Sequence, residues 1–327
     1  VSLPTRRSRV RPPLPAPKTV IKSILLTSIF QKYLKNRDIR NFKNNIFYYL
    51  FFRIIRNFLV HDIILNIYNF KIYGSIKKNK TSYFLLKKCE FGDYHELKTI
   101  KKFSNKNKLI FIDCGCNYGF YSFYTASLSE KNLILSIEAS KDTSDEFIKN
   151  LNLNGFKNIN FFNNAVSNSD GEKISFYESV NDWESSQTHN NFKFNSETVV
   201  KSIKIDTLVR DYHLDDYIVI IKLDVEGNEI NVIKGALDLI KKLNPLIIIE
   251  FSKYIFENLD NIDYLKNFLI QYDYSIYDTN YNKQNLENIL DMINNLQKRY
   301  KTIGNFYLIK NFSKNLEVFL SDEWSSK

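Results

Sequence analysis

The chain of 327 residues is short of the residues that staple or punctuate small folds, with 3 Cys, 6 Pro and 9 Gly. Three cysteines, Cys89, Cys114 and Cys116, cannot build a disulfide framework, and an odd count with a C-x-C pair suits a reducing compartment. No second cysteine pair and no His-x-x-x-His follows, which argues against zinc; the close pair reads as small, semi-apolar residues in a tight loop. Nowhere does the chain hold the ~20 uncharged apolar residues that span a membrane. The richest candidate, 46–60, is interrupted by Arg53 and Arg56. The first 18 residues contain no apolar stretch that would serve as the core of a secretory signal. Scarce glycine has a positive side: each one that remains marks a place where the backbone needs it.

What is present is apolar and aromatic, at 44% and 15% of the chain. That is enough for a sizeable core and excludes disorder for the bulk of the sequence. The net charge of +10 is unevenly spread. Residues 1–18 carry five bases and no acid, and hold five of the six prolines, so they read as a disordered or foreign basic segment or, in a sharper reading, a basic polyproline arm. Residues 19–108 carry 19 bases and 5 acids, whereas 109–327 carry 22 bases and 31 acids. A basic front thus precedes an acidic remainder. The expected divisions are 1–18, a basic aromatic-rich helical extension over 19–87, and a catalytic-sized domain over 88–327. Within the extension, helices are expected over 20–36 and 42–60. The second either packs on the main domain with its arginines at the rim or lies on an anionic membrane surface. The expected location is cytoplasmic, with membrane association only peripheral, at the inner face.

From residue 109 the pattern becomes regular. Apolar runs without polar alternation occur at 109–112, 133–137, 159–162, 217–223 and 246–249, as in strands buried on both faces. Amphipathic helical segments at 120–129, 143–154, 229–243 and 260–272 separate them. Strand–helix alternation of this kind makes a parallel α/β sheet with helices on both sides. Strand-like pieces at 173–177 and 199–205 suggest an inserted hairpin, and 273–277 and 305–309 close the chain with two further strands.

The first strand runs into D-C-G-C-N-Y-G at 113–119 and then a helix. Gly115 and Gly119 allow a sharp turn and close approach to a ligand, and Asp113 ahead of the turn repels a pyrophosphate but attracts an ammonium. That combination points to a zwitterionic cofactor such as S-adenosylmethionine, its carboxylate held by the loop amides, Asn117 included, and by Ser122. Glu138 ends the second strand, where an acid meets ribose hydroxyls. Asn164 and Ala165 follow the third strand and are expected beside an adenine ring. The fourth strand ends in K-L-D-V-E-G-N-E at 222–229. So many carboxylates at one strand end face a cleft, pair with Lys222, or meet water. Asp224 and Glu226 are the functional candidates, Glu229 reads as a helix-start acid, and Glu250 ends the next strand.

These residues, taken together, resemble the FkbM-type family of class I S-adenosylmethionine-dependent methyltransferases over about 88–310. The resemblance rests on 113–122, Glu138, N-L-N-L-N-G at 150–155, N-A-V-S at 164–167 and D-G at 170–171. It continues through S-S-Q-T at 185–188, V-K-S-I-K-I-D-T-L at 200–208 and 222–229. Cys114 and Cys116 depart from the family's usual residues, yet both are small. The resemblance implies a Rossmann-like, seven-stranded, mostly parallel sheet with helices on both faces and an inserted β-hairpin. It also implies methyl transfer to a hydroxyl, on a sugar, glycoconjugate or secondary metabolite.

Such a step needs alignment of methyl and acceptor oxygen, worth roughly 7–11 kcal/mol in ideal cases, and a base for the hydroxyl proton. Asp224 is the first candidate base, with Glu226, Glu250 and His189 as further candidates; Lys222 is a candidate substrate contact, and the resemblance makes Glu96 a candidate cofactor or substrate contact. Asp224 and Glu250 would equally suit a divalent cation. Two other readings stay open. The basic, aromatic front suits an RNA methyltransferase, and a degenerate core would make a docking protein that binds no cofactor.

Overall fold

The computed structural model describes residues 63–74, 93–179, 194–297 and 302–321. The expected helices at 20–36 and 42–60, the S-S-Q-T motif and His189 lie outside these residues. The chain divides into two compact units, 1–65 with 74–89 and 66–73 with 90–327. The short stretch 66–73, placed with the extension by sequence, thus belongs to the larger unit.

A two-stranded sheet of β1 (Ile63–Ile67) and β2 (Phe70–Gly74) comes first, followed by helix α1 (Tyr94–Lys106). The alternating core then runs β3 (Leu109–Cys114), α2 (Phe120–Leu128), β4 (Leu133–Ile137), α3 (Lys141–Asn154) and β5 (Ile159–Phe162). After it come β6 (Ala165–Val166), β7 (Lys173–Ser179), β8 (Phe194–Ile203), the short α4 (Ile205–Leu208) and β9 (Ile218–Leu223). Next are α5 (Glu229–Lys234), α6 (Leu237–Leu243), β10 (Leu246–Ser252), α7 (Lys253–Phe256), α8 (Leu259–Gln271) and β11 (Tyr274–Tyr277). The chain ends with β12 (Lys283–Gln284), α9 (Leu286–Asn294), β13 (Thr302–Lys310) and α10 (Lys314–Leu320).

The main sheet has the order β12-β11-β13-β10-β9-β3-β4-β5. Its five strands from β10 to β5 are parallel, and β13, β11 and β12 add antiparallel pairs at one edge. The expected seven strands are therefore eight, because the two-residue β12 pairs with β11; so short a run leaves no periodic trace. The expected hairpin is β7 with β8, joined by β6 in a separate three-stranded sheet. All residues of β3 and β9 are buried, which accounts for the lack of polar alternation along them.

One expected helix, 229–243, is two. The break falls at Gly235 and Ala236, where a Cβ on residue 235 would sit 2.1 Å from the Ser167 carbonyl oxygen. Asp206 then accepts the Asp238 and Leu239 N–H groups and starts α6 afresh. Asp170 likewise ties the start of α4 by accepting from Lys204 N–H and Thr207 Oγ1. The D-G and I-D-T-L motifs thus do structural work. Among the described residues, no helix is long and apolar enough to cross a membrane.

Candidate active site

The carboxyl ends of β3, β4, β9 and β10 meet at one edge of the sheet, the place where open α/β sheets bind ligands. On the β3–β4 side the loop 115–119 turns through three residues of positive φ, Gly115 (77°), Asn117 (49°) and Gly119 (88°). Gly115 is required by space as well as by φ, since a Cβ there would lie 1.9 Å from the Asp224 carbonyl oxygen. Asp224 N–H also donates to Cys114 O at 3.1 Å. Loop and β9 end are therefore in direct backbone contact.

Asp113 is 2% exposed and accepts from Ser122 Oγ, which also meets Ser136 Oγ at 2.7 Å. Burial pushes its carboxyl up to about 6, although Ser122 and Lys222 pull it down. Glu138 accepts from Asn117 N–H and Ser140 N–H, each at 2.9 Å. Burial pushes Glu138 up to about 7 against the pull of those amides. A carboxylate has about four lone-pair sites, so capacity for a hydroxyl donor remains.

The loop's own hydrogen bonds bear on the expected cofactor grip. Gly115 and Cys116 N–H both donate to Ile137 O, Asn117 N–H to Glu138, Tyr118 N–H to Asn117 Oδ1, and Gly119 N–H to Cys116 O. Every amide from 115 to 119 is thus committed within the chain, and Ser122 is buried on Asp113, so the loop is held in shape by its own bonds. Asn164 and Ala165 are likewise engaged elsewhere: Asn164 Nδ2 donates to Lys201 O, and Ala165 is buried in β6 opposite Ser202 of β8. Asn163 is the residue that reaches Glu138, donating to its carbonyl (2.8 Å) and to Ser144 Oγ (2.9 Å).

On the β9–β10 side, Lys222 lies opposite Asp113 in β3 and Ile248 in β10, so it shares a sheet face with Asp113 and with Glu250, two residues past Ile248. Asn305 of β13 continues the row opposite Glu250. Lys222 is 1% exposed; its Nζ donates to Asp224 Oδ2 at 3.0 Å and sits 5.3 Å above the Tyr121 ring. Burial alone would lower its pKa, but Asp224, Glu250 and Asp93 hold it above its ordinary value. The structure thus places Lys222, a candidate substrate contact, as a buried counter-ion to these carboxylates. Burial and the repulsion of Asp224 raise Glu250 in turn. Glu96, on the first turn of α1, is 5% exposed and raised by burial and by Asp93, with Asn305 a hydrogen-bond partner. Tyr121 donates to Asp93 at 2.7 Å. Glu229 accepts from Gly227 and Val225 N–H and shapes the 224–229 turn, as a helix-start acid should. Carboxylate oxygens of Asp224, Glu226 and Glu250 lie within 4.8 Å of one another, a donor set that suits a hard divalent cation.

Sequence reading missed Asp93, Tyr121, Asn163 and Asn305. Tyr121 stood inside the 113–122 motif and Asn163 beside the chosen Asn164; for Asn305 no local signal existed.

The Methyltransferase FkbM domain family matches residues 113–276, which spans Asp113, Glu138, Asp224 and Glu250. The chain belongs to the FkbM methyltransferase family. Among solved structures it is similar to methyltransferase FkbM from Methylobacillus flagellatus, at 18% identity and TM-score 0.37, over 69% of this chain and 52% of that one. It thus spans about half the length of that FkbM relative. It is also similar to precorrin-6y C5,15-methyltransferase from Geobacter metallireducens (14% identity, TM-score 0.34, 65% of this chain and 84% of that one). An rRNA methylase from Streptococcus thermophilus is similar at 11% identity and TM-score 0.37, over 68% of this chain and 97% of that one. No curated protein matches the chain.

Proposed function

We propose that this FkbM-family chain is an S-adenosylmethionine-dependent O-methyltransferase acting on a hydroxyl of a saccharide, glycoconjugate or secondary metabolite. The observation that carries the reading is the backbone contact between the 113–119 loop and Asp224, which sets acids of both kinds at one sheet edge. Asp113 and Glu138 would hold the cofactor, the first by charge and the second through a ribose hydroxyl. The residues fit such a group, because buried acids favour a cation and Glu138 retains acceptor capacity. Bound there, S-adenosylmethionine supplies an electrophilic methyl group.

Asp224 is the acceptor-side base. Its carboxylate is oriented by the Lys222 ammonium, yet 41% of the side chain stays exposed to receive a proton. Asn305 Oδ1, buried and without a hydrogen-bond partner, offers an acceptor for a substrate hydroxyl. Five carboxylates at this end, Asp93, Glu96, Asp224, Glu226 and Glu250, favour a neutral polyhydroxy acceptor over a phosphate-rich one, which weighs against RNA. The three-acid cluster supports a second reading, in which a divalent cation holds the acceptor oxygen. Incubation with tritiated cofactor and a panel of neutral oligosaccharides, phosphorylated sugars and RNA tests the proposal. Label in a neutral glycan is expected; label in RNA alone would overturn it.

A further inference from the structure

The N-L-N-L-N-G motif has no part in the chemistry above, although its first asparagine is fully buried. Asn150 on α3 has 0% exposure and spends both ends of its amide. Its Nδ2 donates to the Tyr118 carbonyl at 3.2 Å, and its Oδ1 accepts from Tyr73 N–H at 2.7 Å. One side chain thereby bridges the 115–119 loop and strand β2. One helical turn on, Asn154 makes two bonds to Lys71, receiving from its N–H and donating to its C=O, each at 2.7 Å. Asn154 touches the same strand without reaching the loop.

The loop needs outside support. Asn117 holds a left-handed conformation (φ 49°), which costs most non-glycine residues about 1–2 kcal/mol and which Asn tolerates through local bonds such as that of its Oδ1 with Tyr118 N–H. Two side chains from outside it fix its backbone: Glu138 takes the Asn117 N–H, and Asn150 takes the Tyr118 C=O. The segment beyond the Asn150 bond also leans on the helix that leaves the loop. The Phe70 ring packs edge-on against Phe120 at 5.3 Å, and Tyr68 against Tyr124 at 5.1 Å. Gly119, where loop becomes helix, lies so close to Phe123 that a Cβ would meet its ring at 2.5 Å. Phe123 is in turn 6.1 Å from Phe70.

We propose that Asn150 is a positioning residue that clamps the cofactor loop to β2, so that residues 66–73 belong to the cofactor-binding apparatus. This rests on the cofactor reading above and deepens it. Both ends of the amide are needed, because a donor must meet a carbonyl and an acceptor must meet an N–H.

The test is calorimetric titration with S-adenosylhomocysteine, paired with thermal unfolding of the same full-length samples. Asn150→Leu, close in size, removes both bonds. It should raise Kd about tenfold in a folded protein, the size of effect expected when a buried carbonyl loses its partner. Asn154→Leu cuts the Lys71 bonds and the bond from Nδ2 to the Asn150 carbonyl within α3, but no bond to the 115–119 loop; it should lower Tm yet leave Kd within about twofold. A folded Asn150→Leu protein with wild-type Kd overturns the proposal. So does an Asn154→Leu protein whose Kd rises as much, since that marks a general stability effect. If Asn150→Leu does not fold, Asn150→Ser, too short to reach Tyr118, is judged by the same criterion. Absence of binding by the wild type would overturn the cofactor reading itself, whereas wild-type binding with unchanged variants overturns only the clamp.

Discussion

The two halves of the site are built on opposite plans. Around the β3–β4 ends, backbone groups are spoken for within the chain, and Glu138, Asn163 and Asn150 lock three segments together. Around the β9–β10 ends, several carboxylates share the Lys222 ammonium, and Asn305 Oδ1 has no partner. One half is tied together before any ligand arrives; the other holds an unsatisfied acceptor in reserve. Preorganisation of this kind suits a cofactor that is always the same, while open acceptors suit a substrate that brings its own donors.

The contrast breaks most visibly at Asp224. Asp224→Asn should cost about 10²–10⁴-fold in methyl transfer, the usual weight of a general base. Cofactor affinity, measured by titration, should stay within about twofold if the halves are as separate as they look. A parallel fall in affinity would merge them. Lys222→Met comes next. Breaking a buried pair by removing one partner costs about 3–5 kcal/mol, and the partial exposure of Asp224 places the loss near about 3 kcal/mol by urea unfolding. Stability equal to wild type would show that the acids need no common counter-ion.

The pH dependence sharpens the other half. Glu138, pushed up to about 7 by burial, loses its proton well above the free value. A carboxyl raised in this direction stabilises the fold when protonated, so stability without cofactor falls as pH rises from about 4.5 through 7. Asp113 and Glu229, raised to about 6 and about 7, act in the same direction. Cofactor affinity has the opposite slope, because the ionised carboxylate is the better hydroxyl acceptor; it should drop up to about tenfold per unit below pH 7. Flat affinity from pH 5 to 8 would remove Glu138 from the binding step. The smallest effect concerns metal. With Asp224 oriented by Lys222, transfer in excess EDTA should stay within about twofold of control. Loss of activity restored by magnesium would favour the cation reading instead.

Much of the fold was legible because strands buried on both faces advertise themselves as unbroken apolar runs, and β3, β4, β9 and β10 lie where those runs fall. Acids at strand ends were legible for a similar reason, since chain direction brings Asp113, Glu138, Asp224 and Glu250 to one edge. The rest depended on distance in space. Whether the loop amides are free depends on Ile137 and Glu138, some twenty residues away. Asn163 and Asn164 are one residue apart, and only β6 pairing with β8 turns Asn164 away. The bond from Asn150 to Tyr73 crosses 77 residues, so no local pattern could assign 66–73 to the larger unit.

We propose that the β3–β4 edge binds S-adenosylmethionine through Glu138. Titration of wild type and Glu138→Gln with S-adenosylmethionine at pH 7.5 tests it directly. Wild type should bind, and the variant should bind at least about tenfold more weakly, since an amide replaces a charged acceptor at a hydroxyl. Equal affinities, or no binding by the wild type, would contradict the account.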